Sequence, residues 1–274
     1  MPRLPRGRLE RLKEVVDRLH PSGLLYATYE HRLIAELDAD RRPQHVAVLA
    51  DGNRRWARAN APGQPLVAGY QAGADKLKEF VEWCDEIGIP VVTLWVLSTD
   101  NFARSGTDEI EPLLAVIEQM VADLAASRRW RVHPVGALDL LPERSASRLR
   151  AADRSTAELG GMVVNIAVSY GGRHELRDAV RSLLAEEARN GTPISELAET
   201  LDIEHIAEHL YTKGQPDPDL IIRTSGEQRL SGFLMWQSAH SEFYFCEALW
   251  PDFRKVDFIR ALRSYGARER RFGG

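Results

Sequence analysis

The chain has 274 residues, of which 44% are hydrophobic and 28% charged, the composition of a globular protein large enough to bury a full core. Its 36 lysines and arginines against 40 aspartates and glutamates give a net charge of -4, so a nucleic-acid partner is disfavoured. The two cysteines, Cys84 and Cys246, exclude a disulfide framework and a cysteine-rich zinc site, as expected in a reducing cytosol.

The N-terminal segment is predicted to be an amphipathic helix with a basic face. Leu9, Leu12, Val15, Val16 and Leu19 recur at three- and four-residue steps among arginines. Such a helix either caps the protein or contacts a membrane surface. We therefore predict a helical extension over residues 1–42 and one main domain over residues 43–274.

No signal-peptide or membrane-spanning segment is expected. The first residues have no apolar core, and no later run approaches the roughly 18 apolar residues of a membrane span. The predicted location is the cytoplasm, with the inner face of the membrane as a possible peripheral contact.

Short β-rich runs alternate with helical periodicity along the rest of the chain. This pattern predicts an α/β fold, a single domain with a twisted, mainly parallel sheet of about six strands flanked by helices. The predicted strands are His45–Ala50, Pro90–Leu97, Arg131–Val135, Met162–Val168, Asp219–Arg223 and Glu242–Phe245. The predicted helices are Gly69–Ile87, Asp108–Ala126, Pro142–Leu159, His174–Asn190 and Ile203–Leu210.

The Asp108–Ala126 helix has a wide apolar band. A band of this width is typical of a core helix, but it could equally line an internal pocket for an apolar ligand. Its members are Ile110, Leu113, Leu114, Ile117, Met120, Val121 and Leu124.

Polar residues follow four of the predicted strands. Because the carboxyl ends of parallel strands lie on one edge of a sheet, one ligand site could gather residues from all four loops. The four segments are Asp51–Arg58, Ser98–Arg104, Tyr170–Arg173 and Arg223–Ser231.

The chemistry of these segments predicts a strongly anionic ligand. Guanidinium groups bind phosphate oxygens through paired donors. Neither GxxxxGK[ST] nor GxGxxG occurs, so the nucleotide loops are not supported and a diphosphate that is not a nucleotide remains. The arginines concerned are Arg54, Arg55, Arg104, Arg223 and Arg229.

Asp51 is a carboxylate among these arginines, which predicts a divalent cation between it and the ligand. Mg²⁺ is the natural candidate, with Glu242 as a possible second ligand. The alternative is that Asp51 caps the following helix.

Arg173 could either form a buried ion pair or contact the ligand. His205 and His209 have the i, i+4 spacing of zinc ligands but lack a third partner nearby in sequence.

Five motifs between residues 45 and 260 resemble, in order and spacing, those of the cis-prenyltransferases, the undecaprenyl diphosphate synthase-like family. They read HVAVLADGNRRWAR, LWVLSTDNFAR, NIAVSYGGRHELRDAV, DLIIRTSGEQRLSGFLMWQSAHSEFYF and LWPDF. The resemblance implies a homodimer in which a sheet and its helices surround an apolar tunnel with a Mg²⁺-diphosphate site at its mouth. Residues 43–274 are then the catalytic domain.

The implied reaction condenses isopentenyl diphosphate with an allylic diphosphate such as geranyl diphosphate. By position, Asp51 resembles the essential aspartate that binds Mg²⁺ and the diphosphates, Asn101 the proton acceptor, and Glu242 a metal-contacting glutamate supplied to the partner subunit's site. Glu227 is expected to order its loop. The implied substrate-binding residues are Gly52, Asn53, Arg54, Arg55, Trp56, Ser98, Thr99, Asp100, Phe102, Arg104, Arg223, Arg229, Leu230 and Ser231.

The chain departs from the family pattern at two places. Leu66 and Tyr70 stand where an arginine and a histidine are usual, which leaves the diphosphate contacts of that loop open. Leu97 stands where phenylalanine is frequent. Together with Arg54, Tyr70 and the sequence GEQRLSGF, it resembles a short-chain branch that makes (2Z,6E)-farnesyl diphosphate.

Three alternative functions remain within the same family. A decaprenyl or undecaprenyl diphosphate synthase would need a deeper tunnel, and a branched head-to-middle condensation would use nearly the same residues. A non-catalytic subunit of a two-chain enzyme would be expected to have lost Asp51 and the Arg223–Ser231 motif, which are intact.

Overall fold

The computed structural model describes residues 42–104 and 107–268, except for the side chains of residues 103, 104, 107 and 108. The predicted N-terminal helix therefore lies outside the described residues. Within them, every helix is too short or too polar to span a bilayer.

Six parallel strands form one sheet, in the order β3-β4-β2-β1-β5-β6. All six predicted strands are present, and their bounds differ from the predicted ones by two residues at most. The predicted α/β class with a parallel sheet is confirmed. The strands are β1 (His45–Leu49), β2 (Val91–Trp95), β3 (Arg131–Val135), β4 (Val163–Ala167), β5 (Leu220–Arg223) and β6 (Glu242–Phe245).

Among the described residues, the five helices predicted beyond residue 42 are present, together with four α-helices that were not predicted. The additional helices are Asn53–Asn60, Thr99–Arg104, Ile194–Thr200 and Lys255–Gly266. The second has six residues and the third has seven, too few to show helical periodicity. The helices are α1 (Asn53–Asn60), α2 (Val67–Ile87), α3 (Thr99–Arg104), α4 (Thr107–Ala126), α5 (Glu143–Thr156), α6 (Gly172–Asn190), α7 (Ile194–Thr200), α8 (Ile203–Ala207) and α9 (Lys255–Gly266).

An aromatic cluster covers part of the core near the cavity described below. Trp95, at the end of β2, stacks on Phe233 with ring centroids 5.0 Å apart, and the ring of Tyr170 packs edge-on against both. Alternate residues of the strands, including Leu49 and Ala167, belong to the same buried cluster. This packing fixes the ends of β1, β2 and β4 relative to the loop that carries Phe233.

The apolar residues of α4 are core residues. Ile110, Leu114, Ile117, Met120 and Val121 are each at most 7% exposed. The helix contacts α2, α5 and β3, and its apolar residues do not line the cavity described below. The core interpretation of this band is therefore confirmed for these side chains, in preference to the pocket-lining one.

Residues 254–268 belong to a compact unit separate from residues 43–253. In this segment, the Arg254 N–H donates to Oδ2 of Asp257 at 3.2 Å, which closes the first turn of α9. Arg260 binds the other oxygen of the same carboxylate at 3.1 Å.

Candidate active site

A cavity of about 860 Å³ lies at the carboxyl ends of β1, β2, β4 and β5. This is the edge of the sheet at which a ligand site was predicted, and the volume is typical of small-molecule sites, which span about 300–1,000 Å³. The structure thus brings residues of all four predicted loops together. The predicted site residues in the lining are Asp51, Arg54, Arg55, Ser98, Thr99, Asp100, Asn101, Arg223, Arg229 and Ser231.

Asp51 is held through its main chain. Its N–H donates to the hydroxyl of Thr224 at 3.1 Å, and its carbonyl oxygen accepts from that hydroxyl at 2.9 Å and from the Trp250 N–H at 3.0 Å. The side chain is 42% exposed and lines the cavity. Helix α1 begins at Asn53 with Gly52 in the N-cap position and no side-chain cap, so the alternative that Asp51 caps this helix is wrong.

Arg223 is a buried cation at the end of β5. Its side chain is 5% exposed, and Nη2 lies 3.1 Å from Oδ2 of Asp51. Nη1 donates to Oγ of Ser231 at 3.1 Å and to the carbonyl oxygen of Arg229. Because a buried charge is costly unless it is paired, these contacts fix Asp51 and the Ser231 loop relative to each other.

The loop that follows Arg223 contains unusual backbone conformations. Ser225 has φ of 78° and Ser231 has φ of 53°, in the left-handed region that residues other than glycine rarely adopt. Glu227 and Arg229 form an ion pair of 2.5 Å within the loop. This contact agrees with the ordering role predicted for Glu227.

The second predicted segment is tied to the loop after β4. Ser98 caps α3, since its Oγ accepts the N–H of Asn101 at 3.0 Å. The Thr99 N–H donates to the Tyr170 carbonyl, and the Tyr170 N–H donates to the Leu97 carbonyl, both at 3.0 Å. The position of Asn101 in the cavity therefore depends on the Tyr170 loop.

The turn after β4 contributes residues that the sequence analysis did not assign. Arg173 is exposed and lines the cavity, so the alternative of a buried ion pair is wrong. His174 also lines the cavity, with Nδ1 3.4 Å from Oγ1 of Thr99. Its position directly after the Gly-Gly-Arg turn would have allowed His174 to be predicted as a site residue. Met235, another lining residue, has no such signal in the sequence.

The buried carboxylate of Glu175 stabilises the turn after β4. Glu175 is 1% exposed and accepts hydrogen bonds from the Tyr170 hydroxyl, from the Tyr211 N–H at 3.0 Å and from the Gln237 amide at 3.0 Å. Burial raises the pKa of the Glu175 carboxyl. Burial and the adjacent Glu175 also raise the pKa of the Tyr170 hydroxyl, which remains a donor at neutral pH.

Two glycines allow α2 to approach α1 closely. A Cβ atom on Gly69 would lie 2.2 Å from the backbone oxygen of Asn53, and one on Gly73 would lie 2.5 Å from Oδ1 of the same residue. The sequence GYQAG therefore fixes the helix that carries Arg54 and Arg55. Gly69 and Gly73 thus support the site by helix packing. This support does not depend on the arginine and histidine that Leu66 and Tyr70 replace.

Several residues predicted to bind substrate do not line the cavity. Gly52 is buried, and its φ of 110° with Leu249 2.9 Å from a notional Cβ explains why glycine is needed there. The Trp56 indole donates to Oδ1 of Asp252 at 2.8 Å, and Leu230 packs against the core. Asn53 and Phe102 also lie outside the lining, while the Arg104 side chain is not among those described.

Glu242 lies at the other end of the sheet. It pairs with Leu220 at the start of β5, whereas Phe245 pairs with Arg223 at the cavity end. Three residues of strand span about 10 Å, so Glu242 does not reach Asp51 within one chain. Its contribution to the partner subunit's site stays a prediction.

The cavity combines positive charge with an apolar wall. Five arginines face three carboxylates, so the lining favours an anion. The arginines are Arg54, Arg55, Arg173, Arg223 and Arg229, and the carboxylates are Asp51, Asp100 and Glu227. The apolar members are Leu49, Ala50, Trp95, Val96, Leu97 and Met235.

The part of the chain that the structure describes has no group of three or more His, Cys, Asp and Glu residues that could hold a metal ion. His205 accepts the Asp202 N–H at 2.9 Å, and His209 contacts the Ser182 hydroxyl at 2.9 Å, so each has a structural partner. Asp51 is different, because Mg²⁺ commonly uses one or two carboxylates together with substrate phosphates and water. The donor set in the cavity fits a cation that binds with a diphosphate.

Comparison with known proteins identifies this architecture. Residues 49–273 match the prenyltransferase family model described as undecaprenyl diphosphate synthase. The (2Z,6E)-farnesyl diphosphate synthase of Thermobifida fusca is 60% identical over 249 residues, which cover 91% of this chain and 97% of that protein. A short-chain Z-isoprenyl diphosphate synthase of Mycobacterium bovis is 52% identical over 252 residues, covering 91% and 95% of the two chains.

A solved structure shows the same fold. The lavandulyl diphosphate synthase of Lavandula x intermedia, in complex with dimethylallyl diphosphate, has a TM-score of 0.79 and 32% sequence identity, and the match covers 86% of this chain and 100% of that one. With the motifs, the parallel sheet and the family match in agreement, this chain belongs to the undecaprenyl diphosphate synthase-like family of cis-prenyltransferases.

Proposed function

We propose that this protein condenses isopentenyl diphosphate with an allylic diphosphate, preferably geranyl diphosphate, to give a short-chain Z-prenyl diphosphate such as (2Z,6E)-farnesyl diphosphate. The observation that carries the proposal is the cavity itself, in which the Asp51–Arg223 pair and four further arginines lie beside an apolar wall. Two diphosphate groups with hydrocarbon tails have this mixed character. Relatives at 52% and 60% identity carry the corresponding names.

In the proposed reaction, the allylic carbon–oxygen bond breaks and pyrophosphate leaves. The double bond of isopentenyl diphosphate attacks the allylic carbon, and loss of one proton forms the new Z double bond. The cavity arginines bind the phosphate oxygens and stabilise the charge of the leaving group. Asn101, which lines the cavity beside Ser98 and Thr99, is the proposed proton acceptor.

Asp51 is the proposed Mg²⁺ ligand. Its carboxylate is half-exposed in the cavity, and Arg223 engages only one of its oxygens among the contacts described. When bound, Mg²⁺ would neutralise developing charge on the diphosphate. Glu242 from a partner subunit is the proposed second contact, so the proposal includes a homodimer.

The protein is further proposed to act in the cytoplasm, with the basic N-terminal segment as a peripheral membrane contact.

The packing of α4 supports the proposal of a short product. Six of the seven apolar side chains of its band are buried, and none of the seven lines the cavity, so a long chain would have to displace core residues. The cavity volume of about 860 Å³ suits two small diphosphates.

A product assay tests this function. Purified protein is incubated with Mg²⁺, labelled isopentenyl diphosphate and one primer, either dimethylallyl, geranyl or farnesyl diphosphate, and the dephosphorylated products are chromatographed. We expect a linear C15 alcohol from geranyl diphosphate. A product of C50 or longer, or a branched alcohol, would contradict the short-chain assignment, and turnover only after a second protein is added would identify a non-catalytic subunit.

A further inference from the structure

Two side chains outside the predicted binding set contact a cavity arginine. Tyr70 in α2 is 8% exposed, and its hydroxyl donates to Oε1 of Glu109 in α4 at 2.5 Å. The same Oε1 lies 3.4 Å from Nη1 of Arg54 in α1. One carboxylate oxygen thus joins three helices at the edge of the cavity.

The degree of burial decreases from Tyr70 through Glu109 to Arg54, which indicates that the buried residue orients the exposed ones. Tyr70 is packed in the core, the Glu109 side chain is 29% exposed and that of Arg54 is 51% exposed. Burial and the contact with Glu109 raise the pKa of the Tyr70 hydroxyl, so the hydroxyl stays protonated and donates. The rigid tyrosine therefore orients Glu109, which in turn orients Arg54.

An oriented arginine binds a diphosphate more strongly than a free one. A flexible arginine loses up to about 2 kcal/mol of side-chain entropy when it is fixed, and less of this is lost on binding if a neighbour already restricts the side chain. Both Arg54 and its neighbour Arg55 line the cavity, but only Arg54 contacts Glu109 among the described ion pairs.

We propose that Tyr70 and Glu109 are positioning residues that hold the Arg54 guanidinium in the orientation that binds a diphosphate group. Neither residue lines the cavity, so both act through Arg54. The inference rests on the proposed function only in taking a diphosphate as the ligand. It gives Tyr70 an indirect role at a position where the resemblance left the diphosphate contacts open.

A competing effect has the opposite sign. If Glu109 merely reduced the positive potential at Arg54, replacing it with glutamine would strengthen binding of an anion. If it positions Arg54, the same replacement weakens binding. Tyr70→Phe keeps the Glu109 charge and changes only its orientation, so this variant separates the two effects.

The test measures binding of inorganic pyrophosphate by calorimetry, which does not depend on turnover. Wild type is compared with Tyr70→Phe, Glu109→Gln and Arg54→Ala, and with each of the first two combined with Arg54→Ala. Glu111→Gln is the matched control, because Glu111 is an exposed glutamate two residues further along α4. Thermal melting followed by circular dichroism shows whether each variant is folded.

We expect Tyr70→Phe and Glu109→Gln each to weaken pyrophosphate binding about threefold to tenfold, the range of one lost hydrogen bond. Glu111→Gln leaves the affinity unchanged. In the Arg54→Ala background, both substitutions should have no further effect, since the residue through which they act is missing. With geranyl diphosphate as primer, kcat/KM should fall by a similar factor.

The proposal would be overturned if Glu109→Gln bound pyrophosphate more tightly than wild type. It would also be overturned if Tyr70→Phe and Glu109→Gln weakened binding equally in the wild-type and Arg54→Ala backgrounds, or if wild type did not bind pyrophosphate. If Tyr70→Phe fails to fold, the Glu109→Gln and Arg54→Ala pair decides the question alone. Wild type that shows this coupling for pyrophosphate but makes no prenyl product would contradict the proposed function and leave the positioning role intact.

Discussion

Asp51 and Arg223 stand 172 positions apart in the chain and meet at 3.1 Å, at the ends of adjacent parallel strands. The register places Leu49 opposite Arg223, so the carboxylate follows two residues beyond the end of the pairing. The arginine is nearly buried while the aspartate is half-exposed. The pair therefore presents a carboxylate of fixed orientation to the cavity, supported by a guanidinium that solvent hardly reaches.

Replacing Asp51 with asparagine should lower kcat by about 10³-fold or more, roughly 4 kcal/mol of barrier, because the amide keeps the shape but loses the charge that would hold a cation. Steady-state kinetics with geranyl and isopentenyl diphosphates measure the effect. Asp139→Asn is the control, since Asp139 is a 93% exposed carboxylate that also pairs with an arginine, Arg150. Turnover close to wild type in the Asp51 variant would remove Asp51 from the reaction.

Gly69→Ala should destabilise the protein and misplace α1. The added Cβ would lie 2.2 Å from the Asn53 backbone oxygen, which cannot move without moving the helix. Overpacking of this kind costs about 1–3 kcal/mol, and we also expect weaker diphosphate binding because Arg54 and Arg55 shift with α1. Chemical denaturation and pyrophosphate titration measure the two effects.

Gly160→Ala is the matched control for that variant, because a Cβ on Gly160 would have no neighbour within 4 Å. A Gly69→Ala protein as stable as this control would show that α1 and α2 can separate without cost. The close approach of the two helices would then not be what places the arginines.

The strands and the location of the site could be predicted from sequence because both depend on local pattern. Runs such as HVAVLA and NIAV identify buried parallel strands, and the rule that ligands bind at the carboxyl ends of such strands places the four loops at one edge. The order and spacing of the five motifs also allowed the family to be predicted. These signals depend on neighbouring residues or on fixed spacing, and all are visible in one sequence.

The contacts that orient the site could not be predicted, because they join residues distant in sequence. Thr224 binds the main chain of Asp51 across 173 positions, and Tyr70 binds Glu109 across 39. Nothing in the local pattern around these residues indicates a partner. Glu242 is a different case, because the sequence already predicted that it begins a strand, and the strand register confirms that it lies away from the cavity end of the sheet.

Stability should decrease as the pH falls from 7 to 4, in part because of His45. This residue is 1% exposed, with Nδ1 2.7 Å from the Pro216 carbonyl and Nε2 2.7 Å from the Thr93 hydroxyl, and burial lowers its pKa to about 4. The unfolded chain takes up the proton near pH 6.5, so the contribution is fully present above that pH and is lost as the pH falls towards 4.

The pH-dependent part of this contribution is expected to be on the order of 3 kcal/mol, because lowering the pKa from 6.5 to about 4 corresponds to about 1.36 kcal/mol for each pH unit between the two values. Guanidinium denaturation of wild type and of His45→Gln between pH 7 and 4 should give a smaller pH dependence for the variant. An NMR titration that places the pKa of the His45 imidazole near 6.5 in the folded protein would contradict this prediction.

Thr224→Val should impair the site without changing any side chain that lines the cavity. Thr224 is fully buried, and its hydroxyl accepts the Asp51 N–H and donates to the Asp51 carbonyl oxygen. Valine has nearly the same shape but removes both hydrogen bonds, which together cost about 1–3 kcal/mol of stability at roughly 0.5–1.5 kcal/mol each. The Asp51 N–H keeps the Leu49 carbonyl at 2.9 Å, and the Asp51 carbonyl keeps the Trp250 N–H at 3.0 Å. Because Asp51 then loses two of its main-chain hydrogen bonds and can shift slightly, we also expect kcat to fall about tenfold, since small misplacements of reacting groups are costly.

Thr224→Ser separates the hydroxyl from the methyl group. Serine keeps the two hydrogen bonds and loses only one buried methyl, so it should retain kcat within about twofold of wild type while losing about 1 kcal/mol of stability. Denaturation curves and steady-state kinetics on both variants make the comparison. If valine and serine lowered kcat equally, packing at position 224 rather than the hydrogen bonds from Thr224 to Asp51 would set the geometry of the carboxylate.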